Sequence, residues 1–335
     1  MANSLISCEV DFETDGKQAG FLRVPHSVHR SAYGWIPVPV VSIRNGDGPV
    51  VLMMSGNHGD EYEGQIALSR LARDLMPEDL RGQVIFLTMA NQPAAEAGLR
   101  CSPIDDGNLN RSFPGDPAGT PTQMIAHYIE DVLLPRCDYL IDLHSGGGSL
   151  FYPATLLRGQ GWTDQEGQTL RDLQDAFDLP HAWVFQGGGG PNSTARTAMG
   201  AANRKRVVPI MAELGGAGSV TPSILAMTER GLPRILHSLG MLPDYVPDAQ
   251  RGTRELYAAG SVFAYDSGLF EPLKDISDPV EQDETVGHIH DPSTPLRGSV
   301  AVKSPYAGIV MAKRPMAQVK RGDAVFQIGI DVQKK

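Results

Sequence analysis

Asn57-His58-Gly59-Asp60-Glu61 follows directly on the apolar run Val50 to Met54. A histidine and a glutamate three residues apart can converge on one ion when a tight turn separates them, and Gly59 permits such a turn. A second cluster, Asp142-Leu143-His144-Ser145 with Gly146 to Gly148 behind it, ends the run Tyr139 to Leu143. His144 can supply a third ligand. Asp142, two residues earlier, projects from the same side of a strand and can orient an imidazole from behind. Zinc takes imidazole nitrogen and carboxylate oxygen, and a catalytic zinc has three protein ligands and one open position. Taken singly, H-x-x-E also describes a polar loop capping a helix, and D-x-H a strand-end histidine in a glycine loop. Two such clusters at two strand ends favour a metal site of His58, Glu61 and His144 holding one zinc per chain.

Glu213 stands at the end of a third apolar run, VVPIMA (207–212), ahead of Gly215 and Gly216. A carboxylate there suits a general base beside activated water, though a solvated or capping glutamate fits the same pattern. Arg100 and Asn108-Leu109-Asn110-Arg111 lie in a loop rich in Asn, Gly and Pro. Two arginines there could hold a carboxylate and polarise a carbonyl, because guanidinium grips carboxylate in a bidentate fork. Alone, they would read as surface arginines.

These residues need strand ends to hold them. From Pro49 onward apolar runs alternate with helical periodicity. Leu68, Leu71, Ala72 and Leu75 mark one helix face; Ile125, Tyr128, Ile129, Val132 and Leu133 mark another, with Pro121 at its start. Further strands are expected at Val84 to Met89, Tyr139 to Leu143 and Val207 to Ala212. Residues 222–239 read as a helix interrupted by Gly231 and Pro233. The fold class is therefore α/β, a mixed, largely parallel sheet flanked by helices, preceded by edge strands (21–25, 37–48). After Pro243 the texture changes to short strand-like pieces between Gly, Pro and Asp, such as SVFAYDSGLFEP (261–272) and VKRGDAVFQIG (319–329). The expected division is a catalytic domain over 1–243 and a small all-β, barrel-like domain over 244–335.

Composition narrows the class. The 41% apolar content suits a buried core, and no run of ~18 apolar residues predicts a membrane span. A net charge of −10 argues against nucleic acid as partner. Cys8, Cys101 and Cys137 are too few and too scattered for a disulfide framework, and no secretory leader is evident, so a reducing cytoplasm is expected. The expected partner is a small molecule; self-association into a homo-oligomer is left open.

In order, His58-x-x-Glu61, Asn110-Arg111, Asp142-Leu143-His144 and Glu213 resemble the succinylglutamate desuccinylase and aspartoacylase family of the zinc carboxypeptidase superfamily. The resemblance covers about 45 to 240 and extends into the β-rich tail. NHGDEYEGQIAL (57–68), SPIDDGNLNRSFPG (102–115), DLHSGG (142–147) and FLRVPHSVHRSAYGWIPVP (21–39) look closer to one branch. That branch removes the acetyl group from N-α-acetyl-L-2,4-diaminobutyrate in ectoine degradation. The resemblance implies zinc on His58, Glu61 and His144, Glu213 as base, Asp142 behind His144, and Asn110 and Arg111 on the substrate carboxylate. It implies Arg100, nine residues after Asn91, as the group polarising the scissile carbonyl. The loop from Arg100 to Arg111 looks longer than in aspartoacylase. Alternatives are a deacylase of the succinylglutamate or N-acetylaspartate type, or a metallocarboxypeptidase. The tail resembles half of a biotinyl or lipoyl carrier without its lysine hairpin, and reads as structural, shaping the site entrance.

Other features read more plainly. His288 and His290 are strand residues next to a turn before they are a second metal site. His127 reads as packed in a helix. Asp105 and Asp106 are loop acids that could face a substrate ammonium. Gly187 to Gly190 could form a substrate loop, and read first as a flexible connection near the site.

Overall fold

The computed structural model describes residues 4–185 and 194–332; Gly187 to Gly190 lie outside them. Alternation of buried and exposed side chains forms the first edge. β2 (Gly16–Pro25) pairs antiparallel with β3 (Trp35–Asn45) along its whole length, with β1 (Ser7–Cys8) outside it. β4 (Val50–Ser55) is apolar on both faces and therefore central, with Val51 to Met54 fully buried. After it come α1 (Tyr62–Asp74), β5 (Gly82–Leu87), α2 (Gln92–Ala97), α3 (Pro121–Tyr128) and β6 (Tyr139–His144). Pro121 opens α3 as expected, with Thr120 and Gln123 forming a reciprocal cap. Next are β7 (Phe151–Arg158), α4 (Asp164–Phe177), β8 (His181–Val184), α5 (Ala198–Lys205), β9 (Val208–Gly216) and α6 (Pro222–Ser238).

The β-rich remainder is β10 (Arg254–Phe263), β11 (Gly268–Pro272), β12 (Pro279–Val280), β13 (Thr285–His290), β14 (Val300–Lys303), β15 (Gly308–Lys313), β16 (Gln318–Val319) and β17 (Ala324–Asp331). One thirteen-stranded sheet runs β1-β2-β3-β5-β4-β6-β9-β7-β8-β10-β17-β15-β12, and a four-stranded one runs β14-β13-β11-β16. The large sheet is mixed. Parallel pairing is confined to the β5-β4-β6-β9 block and to β7-β8-β10; the flanks are antiparallel. Short reversals such as the one between β2 and β3 build antiparallel neighbours, whereas only the helix crossovers build parallel ones. β15 also bridges back to β7, with Lys313 opposite Phe151.

Helices cover both faces of the central block. Val51, Met53, Ile141, Leu143 and Ala212 pack under α1, α4 and α6, while Leu52, Met54 and Leu140 pack under α3 and α5. Each such full burial is worth about 1.5–3 kcal/mol. That packing explains a departure from the sequence reading: α6 runs unbroken through Gly231 and Pro233. An internal proline costs about 3 kcal/mol, offset by burying Ile224, Leu225, Leu232, Ile235 and Leu236 along one face. Gly231 is required for a different reason, since a Cβ there would lie 2.2 Å from the Phe177 ring. Residues 262–328 of the β-rich part gather a core cluster of their own around Phe270 and Phe326. Among the described residues no helix is long and apolar enough to cross a membrane.

Candidate active site

The strand ends expected to carry chemistry meet at one edge of the central block. His58 and Glu61 lie on the turn between β4 and α1, with Glu61 as the residue that caps α1. Gly59 is needed here because of close approach: a Cβ would sit 1.9 Å from the Ala94 carbonyl oxygen at α2. His144 ends β6, and the parallel register sets Glu213 of β9 directly beside it. Asp60 ties this turn to the glycine loop after β6, its Oδ2 accepting the Gly148 N–H at 2.7 Å.

Glu61 stands between the two imidazoles. Its Oε1 is 2.7 Å from His58 Nδ1 and its Oε2 is 2.8 Å from His144 Nδ1. The opposite ring nitrogens are held from behind: His58 Nε2 lies 3.1 Å from Asn108 Oδ1, and His144 Nε2 lies 2.9 Å from Asp142 Oδ2. Among the described residues, His58, Glu61 and His144 are the one group of three metal-type side chains whose donor atoms lie within 4.8 Å of one another. All three are buried.

Electrostatics also favours a cation there. Burial works against charge on Glu61, yet the His58 and His144 imidazoles hold it far below the carboxylate range. Burial likewise opposes a charged His144, but the Asp142 and Glu61 carboxylates raise its affinity for a proton well above normal. A cluster that retains a proton between two carboxylates is one that a metal cation can occupy instead. Two nitrogens, a carboxylate and outer hydrogen bonds to both rings fit zinc.

Glu213 is half-buried, and its Oε2 is shielded from solvent without a hydrogen-bond partner. Burial, then the charge of Glu61, pushes its carboxyl up to about 8. A divalent cation on the neighbouring ligands would pull it back toward the carboxylate form.

Arginines form the opposite wall. Arg100 Nη1 is 3.4 Å from His58 Nδ1 and 3.6 Å from Glu61 Oε1. Arg111 is half-buried and donates to the Asn110 carbonyl at 2.7 Å. Burial, followed by the positive charges of Arg100 and Arg196, lowers its proton affinity; an anion between these guanidinium groups would relieve that crowding. Asn110 uses Oδ1 to accept the Ala198 N–H at the start of α5, 3.0 Å away, leaving its amide NH2 for a ligand.

His58, Glu61, Arg100, Asn110, Arg111, His144 and Glu213 line one cavity of about 1110 Å³. Sequence reasoning missed part of its wall. Tyr152 of β7, Tyr257 and Ser261 of β10 and Gln327 of β17 line it too. Tyr152 carried a faint signal, as a polar aromatic just beyond the glycine loop. Gln327 carried none beyond being polar in an apolar strand.

Asp105 is corrected: its carboxylate accepts the Thr122 N–H and hydroxyl, each at 2.8 Å, so it fixes the start of α3, and neither it nor Asp106 lines the cavity. His290 pairs with Glu271 at 2.7 Å and His288 with Ser299 at 3.3 Å on exposed strands, with no third metal-type group among the described residues. His127 is buried beside Asp131 and away from the cavity.

Known proteins carry the same arrangement of chain. The succinylglutamate desuccinylase/aspartoacylase catalytic domain matches residues 47–239. An N-alpha-acetyl-L-2,4-diaminobutyric acid deacetylase of Halomonas elongata is 38% identical over 329 residues, 97% of this chain and 95% of that one. The product-bound ectoine utilization protein EutE (DoeB) of Ruegeria pomeroyi superposes with a TM-score of 0.93 at 33% identity, covering 98% of this chain and 100% of that one. A succinylglutamate desuccinylase/aspartoacylase structure from Rhodobacter sphaeroides gives 0.91 at 36% identity, covering 99% and 100%. This chain therefore belongs to the succinylglutamate desuccinylase/aspartoacylase family.

Proposed function

We infer that this protein removes the acetyl group from N-α-acetyl-L-2,4-diaminobutyrate, giving acetate and 2,4-diaminobutyrate in ectoine degradation. The observation that carries the substrate is the 38% identity, over nearly the whole chain, to a deacetylase of that compound. The cavity wall supports it. Among the described residues lining the cavity, Arg100 and Arg111 are its only lysine or arginine side chains. One suits the α-carboxylate and one the scissile carbonyl. An N-succinylglutamate or N-acetylaspartate brings further carboxylates that this wall leaves unpaired.

His58, Glu61 and His144 would hold one zinc, with Asp142 and Asn108 fixing the two rings. When bound, zinc supplies a Lewis acid that activates water and polarises the acyl carbonyl. Glu213 takes a proton from the attacking water as its oxygen bonds to the acyl carbon. Arg100 stabilises negative charge developing on the carbonyl oxygen. As the C–N bond breaks, Glu213 returns the proton to the leaving nitrogen. Arg111 and the Asn110 NH2 hold the α-carboxylate, which decides the amide presented. The three free cysteines suit a reducing cytoplasm.

Chelated protein given zinc back should release acetate from N-α-acetyl-2,4-diaminobutyrate at least ten times faster than it cleaves N-succinylglutamate or N-acetylaspartate at equal concentration. A preference for either of these more highly charged substrates would sink the substrate assignment.

A further inference from the structure

A substrate with a free side-chain ammonium needs an acceptor for it, and the carboxylates of the cavity are engaged or set apart. Among the described lining residues these are Glu61, Glu213 and Glu166. Glu61 belongs to the metal cluster and Glu213 is the base. Glu166 sits on the first turn of α4, where its Oε2 accepts the Trp162 N–H at 3.0 Å. The active-site ends of β4, β6 and β9 are elsewhere: β7 runs antiparallel to β9, so its far end leads toward α4. A neutral oxygen is left to do the work.

Tyr152 has such an oxygen. It is 5% exposed and stands opposite Gly215, on the face of the sheet that Glu213 occupies two residues earlier. A bulge between Tyr152 and Thr155 re-aims this end of β7, as bulges beside sites commonly do. The phenol donates its proton to Gln327 Oε1 of β17 at 2.8 Å. With the proton committed, the lone pairs are what the oxygen can offer a ligand. Burial, then the charges of Glu213 and Glu61, push its ionisation well above the tyrosine range, so it stays a neutral acceptor.

We propose that Tyr152, oriented by Gln327, receives the side-chain ammonium of the substrate and thereby sets the preference for a diamino acid. This rests on the deacetylase reading. The β-rich part of the chain then takes part in specificity, because β17 supplies the group that orients the acceptor.

The test compares N-α-acetyl-2,4-diaminobutyrate with N-acetyl-2-aminobutyrate, which lacks the amine, on zinc-loaded wild type, Tyr152→Phe and Gln327→Leu. Wild type should prefer the diamino compound at least tenfold. Tyr152→Phe should lose about tenfold or more in kcat/KM on that compound, mostly through KM, and less than about threefold on the other. Gln327→Leu should shift the ratio the same way by less. Equal losses on both substrates, or no loss on either, would overturn the proposal. Wild type that cleaves neither substrate removes the deacetylase reading as well, so the two failures are told apart.

Discussion

Glu213→Gln keeps the shape of the side chain and removes its charge, which separates its two predicted effects. The first is on stability without metal. Glu213 has an ordinary value of 4.5 and is pushed up to about 8 in the fold, by burial first and then by Glu61. A raised carboxyl favours folding while protonated. Its contribution is complete below 4.5 and is lost as pH rises through 8. At about 1.36 kcal/mol per pH unit the ceiling of that loss is about 5 kcal/mol, so the expected effect is a few kcal/mol. Glutamine never ionises. In the metal-free state, the variant should therefore match wild type near pH 4.5 and become more stable by a few kcal/mol at pH 8 to 9. Zinc should shrink the gap by stabilising the carboxylate of wild type. The second effect is on activity: loss of the proton carrier should cut acetate release by about 10²–10⁴. Urea unfolding in chelator across pH 4.5–9, repeated with zinc, reads the first effect, and steady-state rates read the second. A stability difference that does not change with pH, or a variant within tenfold of wild-type activity, would refute the reasoning.

Asp142→Asn removes the carboxylate 2.9 Å behind His144 and should weaken zinc binding by about 10–100-fold, measured by competition with a chromogenic chelator. Unchanged affinity would remove Asp142 from the metal site. Arg111→Met should raise KM about tenfold or more, with a smaller change in kcat, since it deletes one side of the carboxylate grip. Gly231→Ala places a Cβ 2.2 Å from the Phe177 ring and 2.8 Å from its carbonyl oxygen. The overpacking should cost about 1–3 kcal/mol against a helix-propensity gain of about 1, so melting should fall; a higher melting temperature would contradict the packing account.

Much of the site was legible because its residues sit where strands end. His58, Glu61, His144 and Glu213 each follow an apolar run, and parallel neighbours bring such positions together without any knowledge of the loops. Asn110 and Arg111 stood out by type, while the hydrogen bond from the Ala198 N–H to Asn110 depends on where α5 packs. The edge strands expected at 21–25 and 37–48 overlap β2 and β3, while their antiparallel pairing was not read from the sequence. What local pattern could not reveal came from tertiary contact. α6 crosses Pro233 because five apolar side chains hold it to α1 and α4. Asp105 turned inward to the start of α3. The mixed pairing of the sheet depends on chain reversals that periodicity does not encode. Tyr152 and Gln327 are 175 residues apart; the pairing of β17 with β15, together with the bridge from Lys313 of β15 to Phe151 of β7, brings them into one wall.

The central claim is that His58, Glu61 and His144 form one catalytic metal centre. Zinc content per chain, measured on chelated and reconstituted wild type and on folded His144→Ala alongside acetate release, tests it directly. The account predicts about one zinc per wild-type chain, activity rising in step with that zinc, and loss of both in His144→Ala. Full acetate release from metal-free wild type, or undiminished zinc binding and activity in His144→Ala, would contradict it.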